Sequence, residues 1–225
     1  MILTKNDKKY SNLYDLKKTY KLEEGIEIVK KITFTKFDAS FDVAVRLNID
    51  PKKTDHMIRG TVVLPHGIGK NVRILVICDS SSEKLAKDSG ADYVGSDEYL
   101  KKIEEGWCDF DLLITTPGMM VKVGRLGRFL GPKGLMPNPK SGTVTTDIEK
   151  TVKEFKLGRV EYRADKYGII HNSVGKVSFD SAKLTDNIKT LIEVILKSKP
   201  SSVKGNFIES ISLSSTMSKG VFVTM

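Results

Sequence analysis

Strands and helices alternate in the middle of the chain, and this alternation constrains the fold more than any other feature of the sequence. Three short apolar runs are typical of buried strands: 73–78, 92–95 and 110–116. Helical patterns follow each of them, at 81–89, 96–105 and 119–130. Strands that alternate with helices of about ten residues predict a parallel, doubly wound sheet. We therefore expect a Rossmann-like three-layer α/β domain over residues 68–158.

The segments on either side predict a second, discontinuous domain. Their helical patterns lie at 8–31 and 183–197, and their strand patterns at 41–49, 59–64, 159–163, 168–171, 207–213 and 221–223. The turn formers Asp165 and Gly168 predict a β-hairpin between the two strands that flank them. Neither flank alone has enough elements for a domain. We therefore expect 1–67 and 159–225 to form one α+β domain into which 68–158 is inserted.

The positive charge of the chain is concentrated in these flanks. The sequence has 37 Lys and Arg against 28 Asp and Glu, a formal net charge of +9. Residues 68–158 hold 14 of the basic and 13 of the acidic residues, a net charge of +1, which leaves 23 and 15, or +8, for the flanks. A polyanion would therefore meet the outer domain first.

Cysteine content and hydropathy indicate a cytosolic protein that is neither secreted nor membrane-spanning. The two cysteines, Cys78 and Cys108, exclude a disulfide scaffold and a four-cysteine zinc site, and they fit a reducing compartment. No apolar run approaches the roughly 20 residues that span a bilayer. The first 25 residues carry charges throughout and lack the apolar region of a secretory signal. No metal site is predicted.

A nucleotide-dependent enzyme is the main alternative for a chain with an α/β domain. A dinucleotide site needs a glycine-rich turn directly after the first strand, where phosphate meets a helix N-terminus. Here Asp79-Ser-Ser-Ser-Glu83 follows that strand, and Gly67-Ile-Gly69 precedes it. A P-loop motif is absent, and the three histidines have no partner at a catalytic spacing: His56, His66 and His171. We predict no catalytic residue and no cofactor.

Residues 118–146 form the strongest basic feature of the sequence. This segment contains five cations and no acidic residue: Lys122, Arg125, Arg128, Lys133 and Lys140. Glycines and prolines in its second half predict a shaped loop in which backbone N–H groups and cations can approach phosphate closely. A solvated basic loop is the alternative. We favour an RNA-facing loop that carries Arg125, Arg128, Lys133 and Lys140.

The outer domain also has residues suited to RNA. Lys36 could contact a phosphate, Phe37 could stack on a base or ribose, and Ser40 or Asp42 could accept a hydrogen bond from a 2′-OH. The basic turn at 51–55 contributes Lys52 and Lys53, and 214–219 is rich in small hydroxyl side chains. Each feature alone also fits a solvated turn or a core aromatic.

Several runs occur in the order of the motifs of one known family. They are Phe37-Asp-Ala-Ser40, Arg59-Gly-Thr-Val-Val-Leu-Pro-His-Gly67, Gly90-Ala-Asp-Tyr-Val-Gly95, Leu130-Gly-Pro-Lys-Gly-Leu-Met-Pro-Asn-Pro-Lys140, Gly142-Thr-Val144, Asp165-Lys-Tyr-Gly-Ile-Ile-His171, Gly175-Lys176 and Ser215-Thr-Met217. From about residue 22 to the C-terminus the chain resembles the large-subunit ribosomal protein L-one family. It departs from the family pattern at Ser218, where glycine is usual, and at 54–57.

The resemblance implies a non-enzymatic two-domain protein, monomeric when free, in the cytoplasmic large ribosomal subunit. It implies binding to the stalk of large-subunit rRNA beside the exit site, help in releasing deacylated tRNA, and repression of its own operon messenger. The family RNA contacts fall on Phe37, Ser40, Asp42, Asp165, Thr216 and Met217. With the candidates above and the matched motifs, the predicted rRNA-binding residues are Lys36, Phe37, Ser40, Asp42, Lys52, Lys53, Asp165, Lys166, His171, Ser215, Thr216 and Met217.

Overall fold

The computed structural model describes residues 14–15, 18–51, 53, 56–79, 82–203 and 205–224. The chain divides into two compact units. One, which we call the outer unit, consists of Met1–Gly69 and Tyr162–Met225; the other, the inserted unit, consists of Lys70–Glu161.

The described residues form the following elements. The strands are β1 (Tyr20–Lys21), β2 (Ser40–Leu47), β3 (Arg59–Val63), β4 (Ile74–Ile77), β5 (Tyr93–Gly95), β6 (Leu112–Thr115), β7 (Arg159–Arg163), β8 (Ile169–Lys176), β9 (Ile208–Ser215) and β10 (Val221–Thr224). The α-helices are α1 (Leu22–Ile32), α2 (Glu83–Asp88), α3 (Asp97–Glu104), α4 (Met120–Gly124), α5 (Gly127–Leu130), α6 (Ile148–Leu157) and α7 (Ser181–Lys197), and a 3₁₀ turn covers Pro139–Ser141.

The outer unit is built on a five-stranded sheet with the order β1-β10-β9-β2-β8. The period-2 pattern of β2 places its apolar residues on one face, where they are buried: Phe41, Val43, Val45 and Leu47. Helices α1 and α7 pack on this unit through apolar stripes that include Ile26 and Ile188. The alternate residues of β2 are half-buried or exposed, and they begin at Ser40. The sheet therefore has one apolar face and one open polar face.

The inserted unit contains a three-stranded, fully parallel sheet with the order β5-β4-β6. All four residues of the central strand β4 are buried, and they alternate between two cores. Leu75 and Ile77 pack with residues of α3, α4 and α5, whereas Ile74 and Val76 pack with residues of α2 and α6. Helices thus cover both faces of a parallel sheet. The predicted α/β fold class is confirmed.

Two predicted helices differ from the structure. The pattern at 8–31 predicts one long helix, but α1 begins at Leu22, because Tyr20 and Lys21 pair as an edge strand with Val223 and Thr224. Residues 8–13, 16 and 17 of that prediction lie outside the described residues. The helix predicted at 119–130 is instead two short helices, α4 and α5, interrupted at Arg125 and Leu126.

The predicted β-hairpin between 159–163 and 168–171 is wrong for most of its length. Strand β7 pairs with β3, and β8 pairs with β2. Only a single bridge, between Ala164 and Ile170, joins the two predicted arms. The two strands also approach closely, because a Cβ at Gly60 in β3 would lie 2.6 Å from the hydroxyl oxygen of Tyr162 in β7. Local turn signals do not report such a distant partner.

Candidate nucleic-acid interface

Seven of the predicted RNA-binding residues lie together at one end of the outer sheet, although the side chain of one, Ser215, is buried on the core face. We call them the Phe37 cluster: Lys36, Phe37, Ser40, Asp42, Ser215, Thr216 and Met217. Two hydrogen bonds join the start of β2 to the turn after β9. The backbone N–H of Ser40 donates to Thr216 Oγ1 at 3.1 Å, and the Thr216 N–H donates to the Ser40 carbonyl at 3.1 Å. Beside them, Phe37 is 56% exposed.

The turn from Ser215 to Ser218 holds Met217 in an uncommon backbone conformation. Met217 has φ 67°, the only positive φ of a non-glycine residue in the described part of the chain. Such a conformation costs about 1–3 kcal/mol, and conformations of this kind cluster at functional sites. Met217 is 71% exposed, so no core packing explains it. The strained backbone presents a flexible apolar side chain to solvent next to Phe37's end of the sheet.

Ser218 closes this turn with its own side chain. Its backbone N–H donates to the Ser215 carbonyl at 2.9 Å, and its hydroxyl oxygen accepts from the Ser215 N–H at 2.8 Å. The residue that departs from the family pattern therefore has a structural role within the turn. A glycine at this position would leave the turn without this side-chain hydrogen bond, which the Ser218 hydroxyl provides.

Lys176 belongs to the Phe37 cluster by geometry, although sequence reasoning did not assign it to the site. It pairs with Ser40 across β8 and β2, and its Nζ donates to Ser40 Oγ at 3.2 Å. The same ammonium lies near Asp42. Desolvation raises the pKa of Asp42, while a hydrogen bond with Ser173 and the charge of Lys176 oppose the rise. Lys176 could have been identified from the Gly175-Lys176 motif, which is one of the runs that resemble the family but was not assigned an RNA contact.

A field of small polar side chains extends from the cluster along the open face of the sheet. Asp42 lies opposite Ser173 on β8 and Ser214 on β9, and Ala44 lies opposite His171 and Ser212. Such short side chains let an RNA backbone approach the strands closely and offer hydroxyls to phosphate and 2′-OH groups. Sequence reasoning did not predict this set of serines. The alternation of serine at every second residue of β9, at 210, 212 and 214, could have indicated a polar strand face.

Asp165 and Lys166 lie at the other end of this face. The carboxylate of Asp165 closes the turn before β8, because its Oδ1 accepts the backbone N–H groups of Tyr167 and Ile169, each at 2.8 Å. Strand β8 separates this turn from Lys176 by about 23 Å at 3.3 Å per residue. His171, exposed on the face between them, has its Nε2 3.6 Å from Asp165 Oδ2. The predicted residues thus outline an extended surface and not one pocket.

The basic turn lies at the same end as Asp165. Lys53 is exposed, and its N–H donates to the Asp50 carbonyl at 3.1 Å. The turn follows β2, whose last residue, Leu47, donates its N–H to the Gly168 carbonyl at 2.9 Å. Lys52 lies outside the described residues.

We expect Asp165→Ala to lower the free energy of unfolding by about 1 kcal/mol at pH 7, as the loss of a comparable capping carboxylate does. Desolvation acts to raise the pKa of Asp165, but the hydrogen bonds from Ile169 and Tyr167 and the nearby His171 together lower it. A lowered carboxyl pKa adds stability above the unfolded pKa of about 3.9, and this stability is lost as pH falls through the folded pKa.

Urea denaturation at pH 7 and pH 3 tests this expectation. The difference between the wild type and Asp165→Ala shrinks at the lower pH. Asp165→Asn is the matched variant, since it keeps an acceptor oxygen for the turn but cannot ionise. A difference between wild type and Asp165→Ala that is larger at pH 3 would contradict the assignment.

The basic segment of the inserted unit is anchored by apolar residues and exposes its cations. Val123, Leu126 and Leu130 are buried in the core of that unit. Gly134, with φ 71°, closes a turn in which its N–H donates to the Gly131 carbonyl at 3.0 Å. Four cations of the segment are exposed, and none takes part in an ion pair among the described residues: Arg125, Arg128, Lys133 and Lys140.

The histidines have structural partners in the outer unit. His56 Nδ1 accepts the Asp50 N–H at 3.0 Å, and His66 Nε2 lies 3.3 Å from Asp186 Oδ2. Among the described residues no group of three His, Cys, Asp or Glu side chains could hold a metal ion. A search of the same residues finds no helix with the length and hydropathy needed to cross a membrane.

Comparison with known proteins gives the class and the family. Residues 29–219 match the model of the "Ribosomal protein L1p/L10e family". Three bacterial relatives carry the name "Large ribosomal subunit protein uL1". The protein from Amoebophilus asiaticus is 61% identical over 98% of this chain and 95% of its own length. Those from Phocaeicola vulgatus and Bacteroides thetaiotaomicron are 57% and 55% identical, each over 97% of this chain and 94% of their own length.

The fold and these matches define the chain as a ribosomal protein, a structural class without catalytic activity. The chain belongs to the ribosomal protein L1p/L10e family. The resemblance stated from the motifs is thereby confirmed, and so is the interpretation that the chain is not an enzyme.

Proposed function

We propose that the outer unit binds the stalk region of large-subunit rRNA near the exit site. The Phe37 cluster carries this proposal. An exposed aromatic ring lies next to Lys36 and beside a backbone edge held by the hydrogen bonds between Ser40 and Thr216. Unpaired bases stack on exposed aromatic rings, and short hydroxyl side chains contact the 2′-OH and phosphate groups.

Recognition rests on shape more than on charge. The open face presents Ser173, Ser212 and Ser214 around Asp42, and a carboxylate repels a phosphate backbone unless a 2′-OH or base donor meets it. Lysines at the two ends of the face, among them Lys36, Lys53 and Lys166, add the salt-dependent part of the affinity. RNA of the right shape therefore binds far better than a duplex of equal charge.

We also propose the remaining roles that the family resemblance implies. The chain is a constituent of the cytoplasmic large ribosomal subunit and a monomer when free. Residues 1–67 and 159–225 form the RNA-binding domain, and 68–158 is an inserted domain. Its basic segment faces rRNA or exit-site tRNA through Arg125, Arg128, Lys133 and Lys140 and assists release of deacylated tRNA. The outer domain also binds a similar fold in the protein's own messenger and represses its translation.

Binding of the purified chain to a short stalk-region rRNA fragment tests the function. The fragment is titrated across a salt series with an unrelated RNA duplex as competitor. Shape recognition predicts tight binding that resists the competitor and a modest salt slope. Weak binding that disappears with salt and competitor would overturn the proposal.

Two variants separate the roles of the two units. We expect Thr216→Val to weaken binding of the stalk fragment by about tenfold or more, because it removes the acceptor of the Ser40 N–H and misplaces the cluster. Lys133→Glu, on the inserted unit, should change the same affinity less than about threefold. The opposite pattern would assign specific rRNA recognition to the basic segment instead. Circular dichroism shows whether Thr216→Val is folded under the binding conditions.

A further inference from the structure

An open cavity of about 490 Å³ on the inserted unit is lined mainly by aromatic rings. Its lining consists of Tyr93, Tyr99, Lys102, Glu105 and Trp107. None of these residues belongs to the RNA-binding surface described above. The volume falls in the range of ligand sites in proteins, about 300–1,000 Å³.

The three rings stand at steep angles to one another. Tyr93 and Trp107 meet edge to face, with centroids 5.2 Å apart and an interplanar angle of 89°. Tyr99 lies 5.6 Å from Trp107 and 6.2 Å from Tyr93, tilted by 42° and 55°. Several ring faces therefore border one space from different directions. Because the rings also pack against one another, a ligand in the cavity meets tilted ring faces and edges and not the single flat platform on which a base stacks.

The sequence around the cavity is strongly acidic. Residues 92–111 contain seven Asp or Glu and two Lys, a net charge of −5, although the whole chain carries +9. Three of the acids are paired: Asp92 with Lys156, Asp97 with Lys122, and Asp111 with Lys70 and Arg73. In the described part of the chain the other four form no ion pair: Glu98, Glu104, Glu105 and Asp109.

One cation already lies on a ring of this cavity. The Lys102 ammonium is 4.8 Å from the centroid of the Tyr99 ring, within the range of a cation–π contact. Lys102 is exposed, so the contact forms without burial of the lysine. The Tyr99 ring thus accepts a cation, and Glu105, the carboxylate that lines the cavity, forms no ion pair in the described part of the chain.

We propose that this aromatic cavity binds a cationic side chain, arginine or lysine, from a basic polypeptide segment of a partner protein. The rings supply cation–π attraction, and the unpaired carboxylates supply charge complementarity and steer the partner. A nucleic acid fits the same place poorly, because the charges of 92–111 outside those ion pairs, four acidic residues and two lysines, still sum to −2 and repel phosphate. The inserted unit would then present opposite charges to two partners: this cavity to a basic protein and the segment 118–146 to RNA.

Trp107 makes the test specific to this site, because it is the only tryptophan of the chain. Its fluorescence in the full-length protein is followed while a short arginine-rich peptide is added. We expect a saturable, salt-sensitive change in the intensity or the emission maximum of the Trp107 fluorescence. The same peptide with glutamine in place of each arginine should bind about three- to tenfold more weakly. A single-stranded RNA oligonucleotide of similar length is the third ligand.

Two substitutions at the cavity, with one control elsewhere, test which groups bind the peptide. Glu105→Gln should lower the affinity for the arginine peptide by about threefold. Glu24→Gln, an exposed matched control on the outer unit, should leave that affinity unchanged. Lys102→Met removes the cation that competes for the Tyr99 ring, and it should raise the affinity for the peptide by about threefold. For an RNA ligand the effect of Lys102→Met has the opposite sign, since a lysine would favour phosphate.

Three outcomes would overturn the proposal. They are equal binding of the arginine and glutamine peptides, tighter binding of the oligonucleotide than of the arginine peptide, and absence of any change at Trp107. None of these outcomes concerns the Phe37 cluster, so the proposed rRNA binding is tested separately. Tyr99→Leu removes one ring of the cavity and should weaken binding of the arginine peptide. Tyr99→Phe keeps the ring and should keep the affinity, so the pair distinguishes loss of the ring from loss of folding.

Discussion

Phe37→Ala is expected to weaken binding of the stalk rRNA fragment by about 5- to 150-fold, the loss that follows from removing one aromatic–base stack worth about 1–3 kcal/mol. The ring is 56% exposed, so it contributes little to the core. The neighbouring Phe41, on the apolar face of β2, is fully buried. Stability and affinity should therefore separate in the Phe37 variant, with a change in free energy of unfolding below about 0.5 kcal/mol.

Phe129→Ala is the matched control for that measurement. Phe129 is 44% exposed and lies on α5 of the inserted unit, outside the Phe37 cluster. Its loss should change the affinity for the stalk fragment less than about twofold. Equal effects of the two substitutions, or an unchanged affinity in Phe37→Ala, would show that the RNA does not stack on this ring. Titrations at one fixed salt concentration keep the electrostatic contribution constant.

The largest loss of stability is expected from Asn187→Ala, at about 3 kcal/mol or more. Asn187 lies on α7 and is fully buried. Its amide nitrogen donates to the carbonyls of Gly67 and Val174, at 3.0 and 2.8 Å, and its Oδ1 accepts the His66 N–H at 3.1 Å. Truncation leaves these buried backbone groups without a partner, and each such group costs about 1–3 kcal/mol.

Urea denaturation measures the effect, with Asn48→Ala as the control. Asn48 is exposed, and its side-chain amide donates to the Asn206 carbonyl at 3.3 Å. The control should lose less than about 0.5 kcal/mol, since surface substitutions rarely cost more. A loss below 1 kcal/mol in Asn187→Ala would mean that water satisfies the three backbone groups. In that case the side chain does not hold the segment at Gly67 to the outer unit.

Two features of the Phe37 cluster lower the stability of the folded chain. Desolvation raises the pKa of Asp42, and the backbone of Met217 adopts a left-handed conformation. Both features oppose folding at neutral pH, because a half-buried carboxylate is disfavoured and a non-glycine residue in this conformation is strained. In the proposed complex, RNA would supply hydrogen-bond donors for the Asp42 carboxylate and contacts for the Met217 side chain.

The sequence alone determined the elements that depend on local patterns. The apolar runs at 73–78 and 110–116 indicate buried strands, and the intervening helices require them to be parallel, as β4 and β6 are. The alternation in β2 likewise separates core residues from polar ones, so Phe41 could be assigned to the core before the sheet was known. Motif order was sufficient to name the family.

Only the tertiary structure decided which distant segments meet. Tyr20 and Lys21 look helical by pattern, yet they pair with the last strand, nearly the whole chain away. Strand β7 takes β3 as its partner instead of its neighbour β8. Ser40 reaches Thr216, and Lys176 reaches Ser40. The strand pairings are set by sheet register and by backbone hydrogen bonds that any sequence with strand character can form, and they bring together the side chains that make the contacts of Ser40. Local periodicity therefore specifies the strands, and global packing selects their partners.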